Sequence, residues 1–198
     1  MKRLFFLLLL GLALGYGCRK VNTSHTVINH KMIPNYDFEN WISTWNPAWI
    51  FPGWKTNATY ETSITEIDVD SLNVYHGRYA MRLSATWAGA RASAKTKFPI
   101  TVHPLGLRAY VKCDLAPSDT VSIWIKLFYK GQETDNGTWF GTKSIAHYKQ
   151  VDIPISQHIA LADSAMIEIR GGDHIMNNQQ FGKGSVFWVD YLSFLLKN

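Results

Sequence analysis

Three carboxylates alternate in the segment Glu66-Ile67-Asp68-Val69-Asp70, and they are the side chains best suited to acid–base chemistry. In a strand, a spacing of two places all three on one face. Retaining glycoside hydrolysis needs two carboxyl groups about 5 to 5.5 Å apart, one as nucleophile and one as acid. The run contains no second glutamate that could act as the acid opposite Glu66, and no substrate-cleft motif flanks it. We therefore interpret it as a solvated acidic strand and predict no catalytic residues, with hydrolysis by Glu66 as the less favoured alternative.

Motifs for other chemistries are absent. The seven histidines are dispersed, with no H-E-x-x-H pair, and the sequence contains no G-x-S-x-G elbow, no P-loop and no G-x-G-x-x-G. We therefore predict a protein without an active site of any of these classes.

Aromatic and basic side chains at alternate positions form the main candidate binding set. Sugars present apolar C–H faces that stack on rings, while charged and amide groups bond their hydroxyls. The candidate carbohydrate-binding residues are Tyr110, Trp124 and Phe128, bordered by Arg108, Lys112, Lys126 and Arg170. Exposed rings also occur without any function. A second possible site lies in the loops, with Trp45, Trp49, Trp87 or Trp139.

Apolar residues recur at every second position over most of the chain, which is the pattern of half-buried strands. It is clearest in segments 91–98, 107–114, 121–129 and 165–170, which are separated by turn signals such as Asp135-Asn136-Gly137. The segment 186–196 is apolar on both faces, so it is expected to be a central strand. The sequence therefore predicts an all-β fold, an antiparallel β-sandwich.

The amino terminus has the features of a secretory signal. Lys2 and Arg3 precede the apolar run 4–14, which is shorter than the roughly 20 residues of a membrane span. Gly15 and Gly17 before Cys18 resemble a bacterial lipobox, from which Tyr16 departs, and we expect Cys18 to be lipidated after removal of residues 1–17. The alternative is an ordinary signal peptide with Cys18 near its cleavage point. Residues 18–31 are then a flexible tether, and 32–198 are the folded domain.

The composition of this expected mature chain limits its partners. Loss of Lys2 and Arg3 leaves 18 basic and 15 acidic residues, a charge of +3 that is too weak to indicate nucleic acid. Only Cys113 remains besides Cys18, and its place among alternating apolar residues predicts an inert core thiol.

Four motifs in order resemble a known family. They are Asn35-Tyr-Asp-Phe-Glu-Asn-Trp41, Phe51-Pro-Gly-Trp54, His76-Gly-Arg-Tyr-Ala-Met-Arg-Leu83 and Gly184-Ser-Val-Phe-Trp-Val-Asp-Tyr-Leu-Ser-Phe194. Together they resemble the carbohydrate metabolism domain of Bacteroidetes lipoproteins and secreted proteins, over about residues 32 to 196. The resemblance implies a jelly roll similar to galactose-binding domains and carbohydrate-binding modules.

The resemblance also implies a structural calcium ion. In such modules an acidic residue of the opening motif and the aspartate of the last strand bind calcium, which here correspond to Glu39 and Asp190, with Asn35 as a further oxygen donor. Tyr191 stands where the family often has a second aspartate. The alternative is that Glu39 bonds backbone groups and Asp190 meets a Lys or Arg without any metal.

These observations predict a non-catalytic, lipid-anchored protein of the cell envelope that binds a glycan or assists glycan-handling proteins. Arg19 and Lys20 after Cys18, in place of an acidic export signal, favour the periplasmic face of the outer membrane over the cell surface. The alternative is a structural or adhesive protein whose outer face contacts other envelope proteins.

Overall fold

The structure is a computed structural model that describes residues 27–42, 51–57, 65–85, 92–156, 161–172 and 185–197. These ranges form strands and connecting turns, and they contain no helix with the length and apolarity needed to cross a membrane. The strands are β1 (Val27–Asn29), β2 (Lys55–Thr56), β3 (Thr65–Asp70), β4 (Ala80–Ala85), β5 (Ser93–Pro99), β6 (Gly106–Asp114), β7 (Val121–Tyr129), β8 (Gln132–Gly141), β9 (Ile145–Pro154), β10 (Ser164–Arg170) and β11 (Val186–Leu196).

The strands form two antiparallel sheets. One has the order β3-β4-β11-β6-β9, with β1 also paired to β11, and the other has the order β2-β5-β10-β7-β8. The predicted all-β sandwich is therefore confirmed. Its β7 and β11 have the bounds that the alternating pattern indicates.

The core lies between the sheets and is built from the inward half of each alternating strand. Cys113 is 1 % exposed, and burial raises the pKa of its thiol, as expected for an inert core thiol. The largest fully buried side chains are Phe38, Phe51, Phe187, Phe194, Ile67, Met81, Leu83, Leu107, Ile123, Ile125, Leu127 and Ile153.

The last strand is central, as predicted, but it is irregular. A β-bulge interrupts its pairing with β6 between Asp190 and Ser193. The bulge shifts the alternation by one residue, so that Leu192 and Phe194 face the core after Phe187 and Val189. Asp190 consequently stays on the outer side of the sheet, although it is fully buried.

Two sequence predictions about local structure need correction. The segment Asp135-Asn136-Gly137 lies inside β8 and is not a turn, because its residues pair in regular register with Leu127, Lys126 and Ile125 of β7, and the β-bulge comes just before them, between Glu133 and Asp135. Residues 27–29, expected in the tether, pair with β11 from Val27 opposite Leu196 to Asn29 opposite Phe194. The folded domain therefore includes at least these residues before position 32.

Candidate functional site

Five tyrosines meet on the outer side of the six-stranded sheet, and we call them the tyrosine cluster: Tyr36, Tyr75, Tyr110, Tyr148 and Tyr191. The rings of Tyr75 and Tyr110 are stacked, with centroids 3.6 Å apart and planes 11° apart. Ring centroids of Tyr36 and Tyr191 are 5.5 Å apart, those of Tyr75 and Tyr148 are 5.9 Å apart, and those of Tyr110 and Tyr191 are 6.3 Å apart. Tyr75 is the most exposed of the five, at 45 %.

Two tyrosines of the cluster lie on the neighbouring strands β6 and β9. Tyr110 occupies an outward position of β6, whose inward neighbours Ala109 and Val111 are fully buried. Tyr148 lies on β9, and its hydroxyl donates to the carbonyl of Asn73 at 2.9 Å. Burial raises the pKa of Tyr148, so its hydroxyl keeps its proton and remains a donor.

The bulge of β11 presents Tyr191 to the cluster. Its φ of 49° lies in the left-handed region, which costs a residue with a Cβ about 1 kcal/mol or more. The following N–H, of Leu192, donates to the carbonyl of Tyr36 at 2.8 Å. The strained residue thus joins the last strand to the opening motif, and its ring touches those of Tyr36 and Tyr110.

The loop 71–79, between β3 and β4, carries Tyr75, and Asp70 closes its first turn. The Oδ1 atom of Asp70 accepts the backbone N–H groups of Leu72 at 2.7 Å and Asn73 at 2.8 Å. Its Oδ2 atom accepts the side chains of Trp188 at 2.7 Å and Asn73 at 3.0 Å. Burial alone would raise the pKa of Asp70, but these hydrogen bonds outweigh it and lower the pKa.

Asp190 holds the middle of the loop. Its Oδ2 atom accepts the backbone N–H groups of Tyr75 and His76, each at 2.9 Å. Its Oδ1 atom is buried without a hydrogen-bond partner among the described residues. Desolvation raises the pKa of Asp190 to about 6, against the lowering effect of the donated N–H groups.

Glu39 holds the end of the loop. Its Oε1 atom accepts the backbone N–H groups of Arg78 at 2.6 Å and Tyr79 at 2.9 Å. Gly77 has a φ of 76°, and a Cβ at this position would overlap the same oxygen, so the turn needs glycine. Three carboxylates from β3, β11 and the opening motif therefore fix the loop through its backbone.

The predicted calcium ligands have other partners here. Glu39 and Asp190 each face N–H donors, as the alternative for Glu39 anticipates, and Asp190 bonds backbone groups instead of the expected Lys or Arg. The side chain of Asn35 bonds both the N–H and the carbonyl of Asn40. Within the described ranges, no three His, Cys, Asp or Glu side chains are placed to hold a metal ion. The N–H donors occupy one oxygen of each carboxylate, Oδ2 of Asp190 and Oε1 of Glu39, and the calcium site stays a prediction.

Polar side chains border the tyrosine cluster. Arg108 makes a bidentate ion pair with Asp152, at 2.7 and 2.8 Å. The hydroxyl of Tyr110 and the amide of Gln150 are 3.1 Å apart. These groups lie beside the rings on β6 and β9, where hydroxyls of a bound molecule would meet both donors and acceptors.

The predicted carbohydrate-binding set is divided between the two sheets. Tyr110 and Arg108 belong to β6, in the six-stranded sheet, whereas Trp124, Lys126 and Phe128 belong to β7, in the other sheet. These candidate residues therefore do not form one continuous surface. Alternation identifies the outward side of each strand but not the sheet to which that strand belongs.

The loop tryptophans and Glu66 are the other candidate residues from the sequence. Trp139 stacks on core residue Phe187, with centroids 6.1 Å apart, and Trp45, Trp49 and Trp87 lie outside the described residues. Glu66 lies on β3 in register with Ser84, but its side chain is also outside the described part.

Sequence reasoning misses most of the tyrosine cluster. In the sequence, Tyr191 stands out only as a departure from an acidic motif, and Tyr75 only as part of a turn. Tyr36 belongs to the opening motif and Tyr148 to a strand with weak alternation. Tyr36 and Tyr191 each stand beside an aspartate, and Tyr75 stands two residues before Gly77, but nothing in the sequence shows that these three segments meet.

The sequence matches no protein-family model, and no curated protein matches it. Similar solved structures include a protein from Bacteroides thetaiotaomicron VPI-5482 assigned as sugar-binding, with a TM-score of 0.51 and 15 % identity, covering 84 % of this chain and 99 % of that one. TmCBM61 in complex with beta-1,4-galactotriose has a TM-score of 0.46 and 13 % identity, covering 84 % and 98 %. A family 16 carbohydrate-binding module has a TM-score of 0.47 and 14 % identity, covering 83 % and 99 %. The chain thus shares the β-sandwich fold.

Proposed function

We propose that this domain binds a neutral glycan on the tyrosine cluster. The observation that carries the proposal is the ring of Tyr75, 45 % exposed and backed by the parallel ring of Tyr110 at 3.6 Å. A stacked pair leaves one ring face open, and the apolar C–H face of a pyranose fits such a surface. The three carboxylates that hold the loop reduce the entropy that binding would otherwise cost.

The charged groups around the cluster favour a neutral ligand. Arg108 is neutralised by its bidentate pair with Asp152. Lys112 bonds the side chain of Asn73, and its Nζ lies 4.9 Å from the ring centroid of Trp188. These groups can exchange hydrogen bonds with hydroxyls, and the carboxylates of Asp70, Asp190 and Glu39 that hold the loop offset the positive charge of Lys112, which favours an uncharged ligand over a carboxylate or sulfate.

The ligand class and the cellular location that we propose are those expected from the sequence. A sugar-binding assignment for a protein of the same fold supports the ligand class. We further propose that the domain acts without catalysis and is held in the cell envelope by a lipid on Cys18, facing the periplasm.

Affinity electrophoresis in gels containing xylan, mannan, galactan or mixed-linkage β-glucan tests the proposal. The wild type should be retarded by at least one neutral polysaccharide. Tyr75→Ala should weaken that binding about tenfold, as expected for loss of a central aromatic contact, whereas Tyr75→Phe keeps the ring and most of the affinity. Trp124→Ala, on the other sheet, is the matched control.

Two results would contradict the proposal. One is the absence of retardation on the whole neutral panel. The other is equal weakening by Tyr75→Ala and Trp124→Ala, which would place the ligand elsewhere. Specific capture of an envelope protein without any polysaccharide binding would instead support the adhesive alternative.

A further inference from the structure

The outer side of the five-stranded sheet has a different chemistry from the tyrosine cluster. We call this surface the lysine face. Its outward side chains include cations, carboxylates and aromatic rings. The cations are Lys55 on β2, Lys95 and Lys97 on β5, Arg170 on β10 and Lys126 on β7; the carboxylates are Glu168 on β10 and Glu133 on β8; the rings are Trp124 and Phe128 on β7 and Phe140 on β8. Phe140 is 52 % exposed and makes an edge contact with Trp124, at a centroid distance of 5.8 Å. Rings and cations thus alternate across one surface.

The two carboxylates of this face already have cationic partners. Glu133 pairs with Lys126 at 2.7 Å, and Glu168 pairs with Arg170 at 3.0 Å. Within the described ranges, no carboxylate oxygen lies within 4 Å of the ammonium groups of Lys55, Lys95 or Lys97. Glu168 is in register with Lys95 but bonds the guanidinium of Arg170. Three lysines therefore supply a net positive charge.

The positions of these lysines are unfavourable for an isolated sheet. Lys55 and Lys95 are directly opposed in the β2–β5 pair, and like charges at opposed positions destabilise a sheet. Lys97 follows two residues later on the same side, and its Nζ lies 4.1 Å from the ring centroid of Phe128. An anion bound across β2 and β5 would relieve this repulsion.

A neighbouring carboxyl group lies within range of the charge of Lys97. Asp163 lies just before β10, and its pKa is lowered chiefly by the backbone N–H of Lys130, then by Ser164, with Lys97 adding to the effect. Lys97 thus acts on a carboxylate that it does not contact as an ion pair. The same field would act on the acidic groups of a ligand.

We infer that the lysine face binds a polyanionic glycan, one bearing carboxylate or sulfate groups, with Lys55, Lys95 and Lys97 as the anion contacts and Phe140 and Trp124 as the ring contacts. A sugar polymer fits this face because it combines anionic groups with the apolar C–H faces that aromatic rings accept. This second site lies on the opposite sheet from the tyrosine cluster and does not depend on it.

Titration calorimetry with polygalacturonate and with heparin tests the inference. We expect binding to at least one of them, weakened about tenfold or more between 50 and 300 mM NaCl because exposed charges are screened. Lys95→Glu/Lys97→Glu should abolish it. Lys143→Glu/Lys149→Glu, two exposed lysines outside this face, makes the same change in net charge and should retain most of the affinity. Melting curves confirm that both variants are folded.

Four outcomes would overturn the inference. The first three are no binding to either polyanion, equal losses in the two double variants, and equal affinity for poly-L-glutamate, which has the charge without the sugar rings. Binding to phosphatidylglycerol vesicles but to neither glycan would also overturn it in favour of a membrane surface. Tyr75→Ala should retain polyanion binding, so this test can fail or succeed independently of the neutral-glycan proposal.

Discussion

The carboxylate of Asp190 accepts the backbone N–H of Tyr75 at 2.9 Å, across 115 positions of sequence. The aspartate belongs to the last strand, whereas the tyrosine lies in a loop near the start of the folded domain. Because the bond is made to the backbone, it positions the loop without restricting the tyrosine ring. The most exposed ring of the tyrosine cluster is therefore positioned by a side chain that is itself fully buried.

Asp190→Ala should destabilise the domain and weaken neutral-glycan binding together. The substitution leaves the N–H groups of Tyr75 and His76 without their acceptor, at a cost of about 1–3 kcal/mol for each buried unpaired group. Urea denaturation measures the stability, and affinity electrophoresis below the unfolding transition measures binding. Normal binding by a folded but destabilised variant would show that Asp190 does not position the loop.

Asp190 should also make stability depend on pH in a predictable direction. Its pKa is raised to about 6 in the folded protein, from an ordinary value of 3.8, so the folded state binds this proton more tightly than the unfolded state. The contribution to stability is full below about pH 4 and is lost as the pH rises through about 6, on the order of 2–3 kcal/mol in total. Asp190→Asn removes the titrating group.

The measurement is the free energy of unfolding of the wild type minus that of Asp190→Asn, from about pH 4 to about pH 8. We expect the difference to fall between about pH 4 and about pH 6.5 and then to level off. Other titrating groups are shared by both proteins and largely cancel. A constant difference over this range would mean that the pKa of Asp190 is not raised.

The sequence predicts the strands of this fold better than it predicts the site. Alternation determines which side of β7 is buried, because a strand has only two faces. It cannot show that Tyr110 and Trp124 belong to different sheets, since strand pairing depends on residues far apart in the chain. The left-handed conformation of Tyr191 has no sequence signal either, because tyrosine rarely adopts it.

Calcium gives the clearest contrast between the family resemblance and the observed hydrogen bonds. If Glu39, Asp190 and Asn35 bind calcium, EDTA should lower the melting temperature by several degrees and added CaCl₂ should restore it. We expect equal melting temperatures, because N–H donors, which repel a cation, already face one oxygen of each carboxylate. Differential scanning calorimetry with excess EDTA or with millimolar CaCl₂ decides between them. A reversible calcium-dependent shift that Glu39→Gln abolishes would restore the calcium prediction.

Gly77→Ala should damage the tyrosine cluster from the other end of its loop. The new Cβ would overlap the Oε1 atom of Glu39, which must then release the N–H groups of Arg78 and Tyr79. Gly131→Ala is the matched control, because Gly131 has a similar φ of 81° but no atom within 4 Å of the position that a Cβ would take. Both variants carry the cost of a positive φ, about 1 kcal/mol, and only Gly77→Ala adds the lost hydrogen bonds, about 1–3 kcal/mol. Urea denaturation should therefore show the larger loss for Gly77→Ala, with weaker neutral-glycan binding in that variant alone. Equal losses would mean that the contact between Glu39 and the loop adds no stability.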